Sequence, residues 1–327
     1  MKAENATHVT EFFLLGFPTG PRLQLLLFAV FLGAYLLVLV ENLLIILAVW
    51  ASVSLHKPMY YFLASLSFLE TWYVTNIVPE MLDNFLLRWQ RQAQQQRISF
   101  VGCMVQLYIF SSLACSECVL LAAMAYDRHV AIRHPLRYPV LMSPRACGRL
   151  VVFSFTSGFA VSAVKVYFIA NATFCGSNVL NHFFCDISPI LKLACTDFST
   201  AERVDFVLAL AVLVLPLAAT VLSYGSIASA VVRIPSASGR RKSFSTCASH
   251  LSVVTVFYTA IIFMYVRPRA IDSRDSNKLV SAVYTILTPV VNPLIYCLRN
   301  KEFKRAVKNS LGRGPILAES GSENGGH

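Results

Sequence analysis

Seven long apolar runs dominate the hydropathy pattern of the chain. They run from Leu23 to Trp50, Met59 to Leu87, Ile98 to Ala125, Ala146 to Ala170, Phe206 to Val232, Ser243 to Val266 and Leu279 to Leu298. A helix needs about 20 mostly apolar residues to cross a bilayer, and each run has that length. Few charges interrupt them. Glu41 stands in the first run, Glu70, Glu80 and Asp83 in the second, and Glu117 in the third. Arg149 and Lys165 sit toward opposite ends of the fourth, and the last three carry none. Barrel strands would be about 10 residues long with strict alternation, so the pattern predicts helices. The first 22 residues are polar and lack the features of a cleaved leader, so the first run is expected to serve as the targeting signal.

Composition narrows the class. Hydrophobic residues are 56% of 327 and charged residues 14%, against about 25% charged in a soluble domain. A water-soluble globule and a disordered chain are both excluded. The expected fold is an all-α membrane protein, a seven-transmembrane helix bundle.

Basic residues orient it. The N-terminus and even-numbered loops hold twelve, and the opposite side holds sixteen with far fewer acids. The net charge of +11 therefore reads as a cytoplasmic face, not a nucleic-acid surface. The N-terminus is expected outside and the C-terminus inside a multi-pass plasma-membrane protein. Two sequons, at Asn5 and Asn171, fall on the expected outer side. Cys103, Cys175, Cys185 and Cys195 share that oxidising side, where four cysteines allow three pairings. Cys115, Cys118, Cys147, Cys247 and Cys297 are expected to be free.

The third run carries the densest chemistry. At 100° per residue Cys103, Phe110, Ala114, Glu117 and Arg128 fall within about 40° of one line. The stripe is about 37 Å long at 1.5 Å per residue and is expected to face the bundle centre. Glu41, Glu70 and Glu117 are acids at membrane depth, each costing about 2.5–3.5 kcal/mol on insertion scales. They are expected to face inward, share protons or a cation, and pair with Asn42 or Asn292.

At the inner end of this run stands Met124-Ala125-Tyr126-Asp127-Arg128-His129-Val130-Ala131-Ile132. The stretch resembles the signature of rhodopsin-like seven-helix receptors, and more closely that of olfactory receptors. Leu55-His56-Lys57-Pro58-Met59-Tyr60-Tyr61-Phe62-Leu63 is similar to the family's opening of its second helix. Lys242-Ser243-Phe244-Ser245-Thr246-Cys247-Ala248-Ser249-His250-Leu251 is similar to the start of its sixth. Ser223-Tyr224, Pro289, Asn292-Pro293-Leu294-Ile295-Tyr296 and Leu298-Arg299-Asn300 complete the resemblance, which points to the tetrapod, airborne-odorant class.

The resemblance implies a set of roles. Asp127 would hold Arg128 at rest, and freed Arg128 would receive the G protein, supported by Tyr224 and Tyr296; Asn292 and Pro293 belong to the same machinery. Cys103 would pair with Cys185, and Cys175 with Cys195. Glu70 and Glu117 occupy the positions of the family's buried acids. Glu302 to Leu311 resembles a short amphipathic eighth helix, with Phe303, Val307 and Leu311 on one face and Lys304, Arg305 and Lys308 toward lipid headgroups. The implied domains are an extracellular tail over 1–22, a receptor domain over 23–298 and a cytoplasmic segment over 299–327.

The family's odorant site implies a ligand set. The third span would offer Phe110, Ser111, Ala114 and Cys115. The fifth would offer Val207, Leu208 and Ala211, the sixth Tyr258, Ile261, Ile262 and Tyr265, and the seventh Ala282 and Thr285. This set is mostly apolar, with a few hydroxyls and no charge, which suits small neutral odorants. Lys165 is expected to snorkel to the headgroups. The expected partners are a small-molecule odorant, a stimulatory heterotrimeric G protein that raises cyclic AMP, and membrane lipids. No cofactor, metal or enzymatic activity is expected.

Departures from the family pattern are His129, Arg133, Glu41, Glu70, Phe155 and a Gln-rich stretch from Trp89 to Arg97. Rival readings have less support. A transporter would more often show internal repeats, and none is visible. A retinal protein needs a mid-depth lysine in the last span, but Lys278 lies near its outer end. His182, Cys185 and Asp186 read weakly as metal ligands. An amine receptor usually has an aspartate where Phe110 stands. The remaining alternative is a related receptor for another small lipophilic ligand.

Overall fold

A computed structural model of the chain describes residues 9–17, 19–91, 96–174, 177–194, 199–265, 274–299 and 301–312. Among these residues, seven helices of 26 residues or more make up the bundle. They are α1 (Pro21–Ala51), α2 (Pro58–Arg91), α3 (Phe100–Arg133), α5 (Pro144–Ala170), α7 (Ser199–Val232), α8 (Ala237–Tyr265) and α9 (Arg274–Arg299). Short helices α4 (Tyr138–Leu141) and α6 (Ile187–Leu191) lie in connections, and α10 (Lys301–Gly312) follows α9. Among the described residues, four of the long helices carry apolar stretches sufficient to cross a bilayer; α8 and α9 carry shorter ones at Cys247–Ile262 and Thr285–Tyr296.

Local chemistry sets several boundaries. Pro21 opens α1 in its first turn, where the missing N–H costs nothing. Ser99 and Ser143 cap α3 and α5, accepting from Gly102 N at 3.0 Å and Ala146 N at 3.4 Å. The third run outlasts its apolar stretch, so Asp127 and Arg128 lie within α3. Likewise α8 begins at Ala237, placing Arg240 and Arg241 on helix.

The seven-run pattern does not reveal a small sheet. Strand β1 (Glu11–Leu14) lies between β2 (Gln96–Ser99) and β3 (Val179–Leu180). It runs antiparallel to β2, with Glu11 opposite Ser99, and parallel to β3, with Leu14 opposite Leu180. Phe12 and Leu14 are fully buried, so the segment set apart as a tail contributes the central strand of a cap. Beneath it Phe12, Phe100 and Phe174 cluster with ring centroids 5.8–5.9 Å apart.

The predicted single stripe of α3 is too narrow. Buried residues occupy every face of the helix, from Cys103 and Met104 to Asp127 and Val130, because α3 runs through the centre, against α2, α5, α7 and α8. The outer helices are the reverse. Large apolar side chains such as Leu26, Leu43, Leu215 and Leu222 stand exposed on α1 and α7, as lipid-facing positions must. In α10, Phe303 and Ala306 are buried against the bundle while Lys304, Arg305 and Lys308 are exposed. The Leu311 side chain lies outside the described residues.

Candidate ligand cavity and coupling surface

A cavity of about 690 Å³ lies among α3, α5, α7, α8 and the middle of α9. Its α3 wall is Phe110, Ser111, Ala114, Cys115, Glu117 and Cys118. From α8 come Phe257, Tyr258, Ala260, Ile261 and Ile262, and from α9 Thr288 and Pro289. The α7 wall runs from Asp205 and Phe206 through Ala209, Leu210, Val212 and Leu213 to Val214 and Leu217. Tyr73 of α2 and Leu191 of α6 complete it with Lys165 of α5.

Seven residues of the sequence-derived set line this cavity: Phe110, Ser111, Ala114, Cys115, Tyr258, Ile261 and Ile262. Five do not. Val207, Leu208 and Ala211 fall on the other side of α7 from its lining residues, with Val207 61% exposed on the outer face. α7 is apolar nearly all round, so its sequence gives no phase. Ala282 and Thr285 are buried too far toward the cap end of α9; Ala282 packs with Phe31 and Phe85, and Thr288 and Pro289 meet the cavity instead. The Tyr265 side chain lies outside the described residues, as do Asn5, Cys175 and Cys195.

The expectation that Lys165 snorkels is corrected. Its side chain is 7% exposed, lines the cavity, and places Nζ 2.9 Å from Asp205 Oδ1. This is a charge contact, since its angle does not make it an aligned hydrogen bond. The cavity therefore carries a compensated ion pair in addition to the acid Glu117. Nearby, Ser162 Oγ donates to Ser111 Oγ at 3.0 Å. Asp205 was missed because it stands at the polar edge of its run. A lysine inside an otherwise apolar span was the available signal that an acid must face it.

The disulfide Cys103–Cys185 ties the start of α3 to the connection between α5 and α7. Gln106, one turn along α3, accepts from Cys185 N at 2.9 Å. Its amide donates to Asn76 O at 3.1 Å and Glu80 Oε2 at 2.5 Å, so the loop, α3 and α2 share one network.

Deeper in the bundle Asn292 Nδ2 donates to Glu70 Oε1 at 2.5 Å, and Asn42 Nδ2 donates to Val38 O at 3.0 Å. Glu70 is 2% exposed and Glu117 5%. Glu117 Oε1, Asn42 Oδ1 and Asn292 Oδ1 are buried with no hydrogen-bond partner among the described residues. Glu41 is only partly buried, so of the three acids it is the one not fully drawn inward.

At the far end of α3, Arg128 Nε donates to Asp127 Oδ2 at 2.9 Å, and the guanidinium and carboxylate form an ion pair. Asp127 is fully buried and accepts a second bond from Tyr138 OH at 2.8 Å. Burial and the Asp127 carboxylate push the Tyr138 phenol above its ordinary range, so it remains a donor. Tyr138 sits in α4 and has no signature in the sequence motif around Arg128. Tyr224 OH meets His250 Nδ1 at 2.6 Å, joining α7 to α8. Tyr296 is buried, with its hydroxyl unpartnered among the described residues.

The olfactory receptor family profile matches residues 31–313. The chain is 69% identical to human olfactory receptor 6B2 over 314 residues, 96% of this chain and 99% of that one. It is 62% identical to mouse olfactory receptor 6B9 over 319 residues, 97% and 99% of the two chains. Rat olfactory receptor 226 is 54% identical over 310 residues, 95% and 94%. With seven long helices around a buried cavity and an Asp-Arg pair closing the opposite end, the chain belongs to the olfactory receptor family, whose members are seven-span, multi-pass plasma-membrane, non-enzymatic odorant receptors coupled to G proteins.

Proposed function

We propose that the cavity beside Lys165 is the odorant site, and that it takes small neutral molecules with a hydrogen-bond acceptor at one end. The observation that carries this reading is the Lys165–Asp205 pair in an otherwise mostly apolar wall. The pair is already neutral in sum, and the other carboxyl among the described lining residues is Glu117, so an anionic ligand would enter unpaired at a high desolvation cost. A carbonyl or hydroxyl can accept from the Lys165 ammonium or meet Ser111 without breaking the pair. One such bond is worth about 1 kcal/mol net, and apolar contact adds about 25 cal/mol per Å² buried. Affinity for a small ligand is then micromolar or weaker. Dose–response curves for matched alcohols, aldehydes and carboxylic acids test this. Activation by the acids alone, abolished in Lys165→Met at matched surface level, would show the reading to be wrong.

The Arg128 end is the coupling surface in this reading, and the partner is the stimulatory, olfactory-type G protein. Releasing Arg128 from Asp127 presents a cation to the G protein, with Tyr224, Tyr296, Asn292 and Pro293 supporting the released state. Arg128→Ala should reach the surface and bind odorant yet lose the cyclic-AMP response; a wild-type response would place coupling elsewhere.

The N-terminus lies outside and the C-terminus inside, with the tail over 1–22, the receptor domain over 23–298 and the segment over 299–327 disposed accordingly. Asn171 is exposed at the end of α5 on the disulfide side, which supports this orientation. A glycosidase shift lost only when Asn5 and Asn171 are both changed to Gln is the expected result. The second proposed disulfide is Cys175–Cys195. The unpartnered oxygens of Glu117, Asn42 and Asn292, beside Glu70, suit shared protons or a monovalent cation.

A further inference from the structure

The cavity has a side as well as an end, and the side is the less obstructed. On α7 its lining residues Phe206, Leu210 and Val214 follow at i, i+4 and i+8, so they form one ridge. They are 67%, 50% and 47% exposed, and beyond them Val207, Ala211 and Leu215 face outward. Across from the ridge, Ile262 of α8 also lines the cavity and is 51% exposed. It shares its helix face with exposed Thr255 and Thr259. A residue that both lines a cavity and stands half exposed marks its mouth. Here the mouth lies between α7 and α8, on the apolar flank of the bundle.

The disulfide end is closed by aromatic layers. Phe110, at the cavity wall, meets Phe184 at 5.1 Å between centroids. Phe184 meets Phe183 at 4.9 Å, and Phe17 stacks on Phe183 at 5.3 Å and on Phe85 at 5.6 Å. This strap is fixed in turn: Lys278 Nζ donates to Gly16 O at 2.8 Å with the lysine 2% exposed. Passage through this end would require several buried rings to move together.

We propose that odorants enter and leave the cavity sideways, from the bilayer, through an opening walled by Leu210 and Val214 of α7 and Ile262 of α8. The inference rests on the cavity being the odorant site. A neutral lipophilic molecule concentrates in hydrocarbon for the same reason that it favours the cavity. Crossing an apolar rim then strips no polar group of water. The rim is touched in transit, so its bulk acts on the entry and exit rates together.

The test measures onset and washout rates of the cyclic-AMP response beside the half-maximal concentration, in full-length receptor matched for surface level. Ile262→Trp should slow onset and washout together, each by about tenfold, one decade of barrier; Ile262 also lines the cavity, and a change in affinity alone would move washout without onset. Ile262→Ala should speed both, which keeps the test decisive if the tryptophan variant fails to reach the surface. Phe17→Ala, which thins the cap, should leave the rates alone. Unchanged rates in both Ile262 variants, or faster rates in Phe17→Ala alone, would overturn the proposal. Ala114→Trp separates the two readings: it fills the cavity, and an unchanged half-maximal concentration there would remove the odorant site itself.

Discussion

Lys165 of α5 and Asp205 of α7 form an ion pair across the cavity wall, 2.9 Å apart, the lysine buried at 7% exposed and the aspartate half-buried at 23%. Each charge alone in such a setting costs several kcal/mol in desolvation, and removing one partner typically costs 3–5 kcal/mol. Lys165→Met and Asp205→Asn are therefore each expected to lower surface receptor and thermal stability by about that order. The double substitution, which leaves no orphan charge, should recover most of the loss. Thermal-shift assays with surface labelling check this, and a double variant as poor as the sum of the singles would mean the two charges do not compensate each other.

The Cys103–Cys185 bridge spans 82 residues of sequence. Closing a loop of that length is worth about 4–5 kcal/mol in the chain-entropy treatment. Cys185→Ser is expected to abolish surface expression and response. Gln106→Leu should do less, since it orphans Cys185 N and the Asn76 carbonyl at about 1–3 kcal/mol; reduced surface level with a retained response is the expected readout. Equal damage from both would place the loop's stability in the hydrogen bonds, not the bridge.

The helices were legible in the sequence because membrane spans are written as unbroken apolar length, which needs no partner to read. The same feature hid the faces. Leu208 and Leu210 are chemically alike, and only packing against α5 and α8 decides that Leu210 lines the cavity. Phe110, Ser111, Ala114 and Cys115 were placed by family resemblance on a helix that is buried all round, where errors of phase matter less. A lone cation near a helix end reads first as snorkelling, which is the expectation for Lys165; Asp205, 40 residues on, pairs with it instead. Strand β1 was invisible because its four residues take their pairing from Gln96–Ser99 and Val179–Leu180, both far off in sequence.

Gly158 marks a close approach of α5 to α3. A Cβ there would lie 2.2 Å from Ser116 Oγ, 2.6 Å from Ser116 N and 2.7 Å from Ser112 O. Two of these are backbone atoms of a central helix, which cannot yield like a flexible side chain. Gly158→Ala should cost about 1–3 kcal/mol, the range for overpacking, and Gly158→Val more. Gly148, on the same helix, has nothing within 4 Å of its built Cβ. Gly148→Ala is expected to be neutral or mildly stabilising through helix propensity. Melting temperatures of the two alanine variants in detergent should separate clearly; coincident values would mean α3 and α5 are not held this close.

Glu302, in the first turn of α10, is gripped by Lys57 Nζ at 2.8 and 2.9 Å and by Tyr60 OH at 3.2 Å. The Lys57 hydrogen bonds hold its carboxyl below the usual range, against the opposing effect of burial. A carboxyl with a depressed folded-state pKa contributes its stabilisation above the ordinary value of about 4.3 and loses it as pH falls through the depressed one. Docking of α10 should thus be flat through neutral pH and weaken below about pH 4. The side chains are 52% and 59% exposed, so screening keeps the effect modest and salt should reduce it further. Phe303 and Ala306, buried beside the pair, should keep α10 in place when the charge is lost. A spin label at position 308 in nanodiscs, titrated from neutral to acid pH, should gain mobility in the wild type. Glu302→Gln should start more mobile and stay level across the same range. A Glu302→Gln profile that still bends below pH 4 would assign the acid response to another carboxyl.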